Sequence, residues 1–137
     1  MITVYKTSDE VELNFGEVSI WISPLTFEQK AKIQATANLS GGASVEDQLK
    51  ASYLAIKYAV KRCSGIQYSD GSDYKLVLEN GMLTDECADN IYNTELSNSL
   101  ANYCVNLING IPNHVTLPNG DIDETVKVVL PKRKKKG

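Results

Sequence analysis

Between Val11 and Phe27 the spacing of apolar residues changes from two to three and four, and that change sets the order of elements at the front of the chain. Val11, Leu13 and Phe15 recur at every second position, as do Val18, Ile20 and Ile22, with Asn14 to Glu17 as a Gly-containing turn between them. A period of two puts such residues on one face of a strand, so the two runs predict a β-hairpin. An earlier strand over Ile2 to Tyr5 would extend it. Trp21 falls on the face opposite Ile20 and Ile22, either packed under a helix or open to a partner.

Pro24 ends the second strand, and Thr26-Phe27-Glu28-Gln29 fits a capping box, in which the Thr hydroxyl accepts from the third helical amide and Gln29 reaches back. A helix is expected from Phe27 to about Leu39, stopping at Gly41-Gly42. Ser44 caps the next, with Glu46 and Asp47 in a first turn where the helix dipole favours negative charge. Val45, Leu49, Tyr53, Ile56, Val60 and Cys63 then recur at steps of three and four, a single apolar stripe, with Lys50, Lys57 and Lys61 on the wet side. Ser69 to Asp73 reads as a turn, because no glutamate closes a calcium loop there. Leu76 to Leu78 suggests a short extended piece ending at Asn80-Gly81.

Thr84 opens a short helix to about Tyr92, and Asn93 is expected to cap a longer one. That helix carries a second stripe, Leu96, Leu100, Tyr103, Cys104, Leu107 and Ile108, and ends at Gly110-Ile111-Pro112. The two stripes are expected to pack on each other. Past Pro112, the β-branched run Thr125 to Val129 is either an edge strand closing on the hairpin or an extended arm. The reading is an α+β domain dominated by three to four helices, with an N-terminal hairpin, over residues 1–131.

Residues 132–137, Lys132-Arg133-Lys134-Lys135-Lys136-Gly137, stand apart from that domain. Removing their five positive charges from the formal net charge of −3 leaves −8 on residues 1–131. Like charges stacked at a free end resist burial, so this run is expected to be a disordered tail. The acidic body argues against a nucleic-acid docking face, and the tail has no aromatic residue to stack on bases. Hydrophobic content of 42% and charged content of 23% belong to a globular chain, and no apolar run reaches the roughly 20 residues a bilayer requires. No basic region followed by an apolar block opens the chain, so no secretory signal is expected.

Reaction chemistry is not legible. His114, the single histidine, lies in an Asn- and Pro-rich stretch, and there is no Gly-x-Ser-x-Gly elbow. Cys63, Cys87 and Cys104, at spacings of 24 and 17, match neither a disulfide framework nor a paired-thiolate zinc site. Phosphate-binding glycine loops are missing, and the helix start after Gly41-Gly42 carries Glu46-Asp47, which would repel an anion. The expectation is therefore a noncatalytic protein with no metal and no cofactor.

The order of parts resembles the tail assembly chaperones of long-tailed bacteriophages. The resemblance covers roughly residues 16–112. It rests on a short strand leading into Ser23-Pro24-Leu25-Thr26-Phe27-Glu28, a helix, and a longer helix ending in Tyr58-Ala59-Val60-Lys61-Arg62-Cys63-Ser64-Gly65-Ile66. A turn with Asp70-Gly71, an extended Tyr74 to Glu79 and Leu83-Thr84-Asp85-Glu86 before paired helices complete it. The resemblance implies a protein of the bacterial host cytoplasm that binds the phage tape measure protein, keeps its hydrophobic helices soluble and recruits tail tube subunits. Trp21, Phe27 and Tyr58 are the aromatic candidates for partner binding. Two other classes stay open: a virion component, such as a tail or connector subunit that associates with its neighbours through strand edges, and a small adaptor or inhibitor.

In many members of that family a programmed minus-one ribosomal frameshift near the gene's end yields a longer second product, and codons for Lys134-Lys135-Lys136 can form the slippery run. Deleting residues 132–137 is expected to leave thermal stability and client binding unchanged. Recoding the lysines synonymously with AAG should abolish the longer product on an expression blot. Loss of partner binding on deletion, with no effect of recoding, would make the tail an electrostatic contact instead.

Overall fold

The hairpin forms where the alternation puts it, and its two edges are filled by later parts of the chain. The computed structural model describes residues 1–38, 41 and 44–131. The expected basic tail, the expected helix end at Leu39 and Gly42 of the Gly41-Gly42 stop lie outside the described residues. Strand β1, Val11–Asn14, pairs antiparallel with β2, Ser19–Ile22, so that Val11 and Leu13 face the core together with Ile20 and Ile22. The other edge of β1 takes β6, Lys127–Val129, also antiparallel. The β-branched run is thus an edge strand rather than an arm. The expected strand at Ile2 to Tyr5 does not form; its place beside β1 is held by β6, and Met1, Ile2 and Val4 are exposed.

Helix α1, Phe27–Ala37, begins at the capping box, with both reciprocal bonds between Thr26 and Gln29 present. Helix α2, Val45–Ala59, begins at Ser44, whose hydroxyl accepts from the Asp47 amide at 3.1 Å. Where α2 was expected to continue to Cys63, the chain passes instead into β3, Val60–Ser64, which pairs antiparallel with β2. Three hydrogen bonds accompany the change. The Ser23 amide donates to the Ala59 carbonyl at 2.9 Å, capping the helix end from β2. Lys61 is the extra residue of a bulge between the Trp21 and Ile22 pairings, and its Nζ donates to the carbonyls of Tyr58 and Gly81.

The sheet order is β3-β2-β1-β6, with helices packed on the face of Leu13 and Ile20. Gly65 follows β3 at φ +83°, and a Cβ there would lie 2.2 Å from the Glu17 carbonyl oxygen, so only glycine lets the chain leave the sheet beside the hairpin turn. A small second hairpin, β4 (Leu78–Glu79) and β5 (Met82–Leu83), turns at Asn80-Gly81, both in the left-handed region. Thr84 caps α3, Asp85–Tyr92. Asn93 does not cap α4, Ser97–Asn106; it closes α3, its amide donating back to Asp89 and Asn90, while Thr94 holds the following turn. Among the described residues no helix is long and apolar enough to cross a membrane.

The core takes the C-terminal part of the expected α2 stripe, Ile56 and Val60, with Tyr53 packed against it, and leaves the first turns open. Ala51, Ala55, Ile56 and Ala59 are buried, whereas Val45 is 74% and Leu49 53% exposed. Helices α1 and α4 both pack on α2, and Leu49 and Ile56, two turns apart on one face, differ in burial because the covering elements do not reach the start of the helix. The expected stripe of α4 does face inward: Leu100, Tyr103, Cys104 and Leu107 are buried. Leu100→Ala is therefore expected to cost about 2–5 kcal/mol, as buried leucine truncations do. Leu49→Ala should lose under about 0.5 kcal/mol, as exposed positions do. Denaturant titration of both variants checks the assignment of faces.

Candidate functional site

The residues that α2 turns outward line a groove of about 460 Å³. It is lined by Leu49, Tyr53 and Leu54 of α2, by Thr36 from the last turn of α1 and by Tyr92, the last residue of α3. Glu46 and Lys50 form its rim, joined by an ion pair of 3.2 Å one helical turn apart. Val45, one turn before Leu49, continues the apolar line. The Tyr53 and Tyr92 rings meet with centroids 6.2 Å apart and planes tilted by 54°, closing one end.

That end of the groove is tied to α3 by polar bonds. The Tyr53 hydroxyl donates to the Asp85 carbonyl at 3.3 Å, and Lys57 forms an ion pair with the Asp85 carboxylate. Burial pushes the Tyr53 phenol up to about 12, and the neighbouring Asp89 and Asp85 carboxylates reinforce the shift by disfavouring a second negative charge. The α3 side of the groove is thus negative.

The three aromatic candidates are spread over the molecule, and none lines this groove. Trp21 lies half-buried on the outer face of β2, with the Arg62 guanidinium 4.1 Å from its ring centroid. Arg62 is itself held by the Glu10 carboxylate at 3.1 Å. Phe27 is 87% exposed at the start of α1. Tyr58 is half-buried near the end of α2. Spacing puts Leu49 and Tyr53 in the core stripe; Tyr53 is half-buried against the core and Leu49 is exposed, while Leu54 and Tyr92 carry no sequence signal of their own. The steps of four at Ala51, Ala55 and Ala59 were the available sign that α2 has a second, tighter face.

A second cleft, between the Tyr68 to Val77 segment and α3, contains Cys87. Its thiol accepts from the Val77 amide at 3.3 Å. Burial pushes the thiol up, and bonds with Thr84, Tyr74 and Val77 together outweigh it, leaving the pKa below its ordinary value. The cleft's lining includes no histidine to act as a base. His114 sits after α4 with its Nδ1 2.6 Å from the Asn113 side-chain oxygen. Among the described residues no three His, Cys, Asp or Glu side chains gather as a metal site. Comparison with protein-family models, with curated protein sequences and with solved structures gives no match.

The raised phenol has a measurable consequence. A group whose folded pKa lies above its unfolded value of about 10 contributes stability that is fully present below pH 10 and is lost as pH rises through the folded value near 12. Tyr53→Phe removes this titration, so the variant should lose less stability than the wild type between about pH 10 and 12. Parallel denaturant midpoints across that range would show it. Identical slopes would mean that the groove end is solvated.

Proposed function

We propose that the chain is a noncatalytic assembly factor of the tail assembly chaperone kind, which holds the phage tape measure protein in the host cytoplasm and helps bring tail tube subunits to it. The observation that carries this reading is the apolar groove, with Leu49 half-exposed and Val45 largely so. A protein that holds hydrophobic helices needs such a surface in its free state, and laying an apolar helix face into a groove is a recurrent mode of peptide recognition. The resemblance over residues 16–112 supplies the client, and the groove supplies a place for it. Trp21, Phe27 and Tyr58 remain candidate contacts for further partners; Phe27 is the most open of the three.

One observation favours the virion-component reading. Strand β6 is an outer strand of the sheet, and an outer strand can template pairing with another molecule. Copurification of the chain with finished particles would support that reading over a chaperone, which leaves before completion.

Coexpression with the tape measure protein encoded in the same genome is the direct test. The soluble fraction of the tape measure protein should rise several-fold when the chain is present. Equal solubility with and without the chain would end the chaperone reading.

A further inference from the structure

We infer that the groove on α2 takes one amphipathic helix whose apolar anchors are flanked by Lys or Arg; the identity of that helix as part of the client rests on the chaperone reading. Shape argues for a helix. Val45, Leu49 and Tyr53 lie in line at successive steps of four, a track of about 12 Å at 1.5 Å per residue, matching anchors two turns apart on a facing helix. A compact small molecule would leave much of that track uncovered.

Charge argues for a basic flank. Thr36 and Tyr92 bring the C-terminal ends of α1 and α3 to the groove, and neither helix has a basic residue in its last turn. Helix C-termini carry partial negative charge and favour cations. Asp89 of α3 adds a carboxylate beside Tyr53, Asp85 being paired with Lys57, and the chain has no Lys or Arg between Lys75 and Lys127. The nearby cations are engaged: Lys50 by Glu46 and Lys57 by Asp85. Lys30 and Lys32 of α1 do not line the groove. A helix with acidic flanks would meet like charge; one with basic flanks would complement both helix ends.

The test uses the full chain, isotope-labelled, and two synthetic amphipathic helices of about 18 residues, long enough to hold helical structure, with identical leucine faces and either Lys or Glu flanks. Amide shifts should centre on residues 45–54 and Tyr92, and the Lys-flanked peptide should bind at least about tenfold more tightly, with the difference shrinking as salt is added. Leu49→Asp should weaken the Lys-flanked peptide by about tenfold or more. Because that substitution adds negative charge, the loss separates groove docking from general attraction to an acidic protein. Leu117→Ala, at an exposed apolar residue outside the groove, should leave the affinity unchanged. Equal binding of the two peptides, shifts centred elsewhere, response only to small apolar compounds, or unaltered affinity in Leu49→Asp would each overturn the inference. If the wild-type chain solubilises the tape measure protein yet shows no charge preference, the inference falls and the chaperone reading stands. If the Lys-flanked peptide docks as described and the tape measure protein stays insoluble, the helix site stands and the chaperone reading falls.

Discussion

The close contact that α2 makes through Ala51, Ala55 and Ala59 governs the arrangement of the whole molecule. These side chains are almost fully buried, and the helix packs through its neighbours on both α1 and α4. An alanine face lets helix axes come near each other at little loss of side-chain entropy, and close axes leave no room for leucine or tyrosine between them. Ile56 and Val60, toward the sheet end, are buried in the same core, while Val45 and Leu49 at the helix start stay exposed. The groove begins where that core stops.

A second constraint joins this helical layer to the sheet. Helix α2 becomes β3 without a loop, so the direction of the helix and the direction of the strand are coupled through Ala59 and Val60. The Ser23 amide satisfies the Ala59 carbonyl, and the Lys61 ammonium reaches the carbonyls of Tyr58 and Gly81. Lys61 is half-buried, and burial lowers its pKa below the usual lysine value. Its carbonyl partners keep the ammonium hydrogen-bonded where the bulge draws it inward. The second hairpin is thereby held against the junction, and Thr84 at its end starts α3 beside the groove.

The thiols and the groove differ in their surroundings. The buried thiol of Cys104 is driven up by desolvation, as an inert core group would be, and the cleft of Cys87 lacks a histidine in its lining. The groove, by contrast, joins an apolar floor to a negative margin contributed by α3 and two helix ends. Apolar contact can hold a ligand without selecting one; the fixed charges around it impose the selection.

Local chemistry made much of the fold legible in the sequence. The period-two runs at Val11 to Ile22, the capping box at Thr26, the Ser44 and Thr84 caps, the Asn80-Gly81 turn and the stripe of Leu100, Tyr103 and Cys104 depend on residues within a few positions of one another, and each appears where it was read. The misreadings arose where a distant segment decided. Helix α2 ends at Ala59 because β2 offers its edge to Val60–Ser64; Ile2 to Tyr5 forms no strand where β6 takes the place beside β1; and Asn93 closes one helix instead of opening another. The groove belongs to this second kind. Val45, Leu49, Tyr53 and Ile56 share the spacing of one core stripe, yet Ile56 is buried while Val45 and Leu49 are exposed. Residues on one helix face differ in burial only through what packs along its length, so the tertiary structure alone decides which part of the stripe is core and which is left to solvent or to a partner.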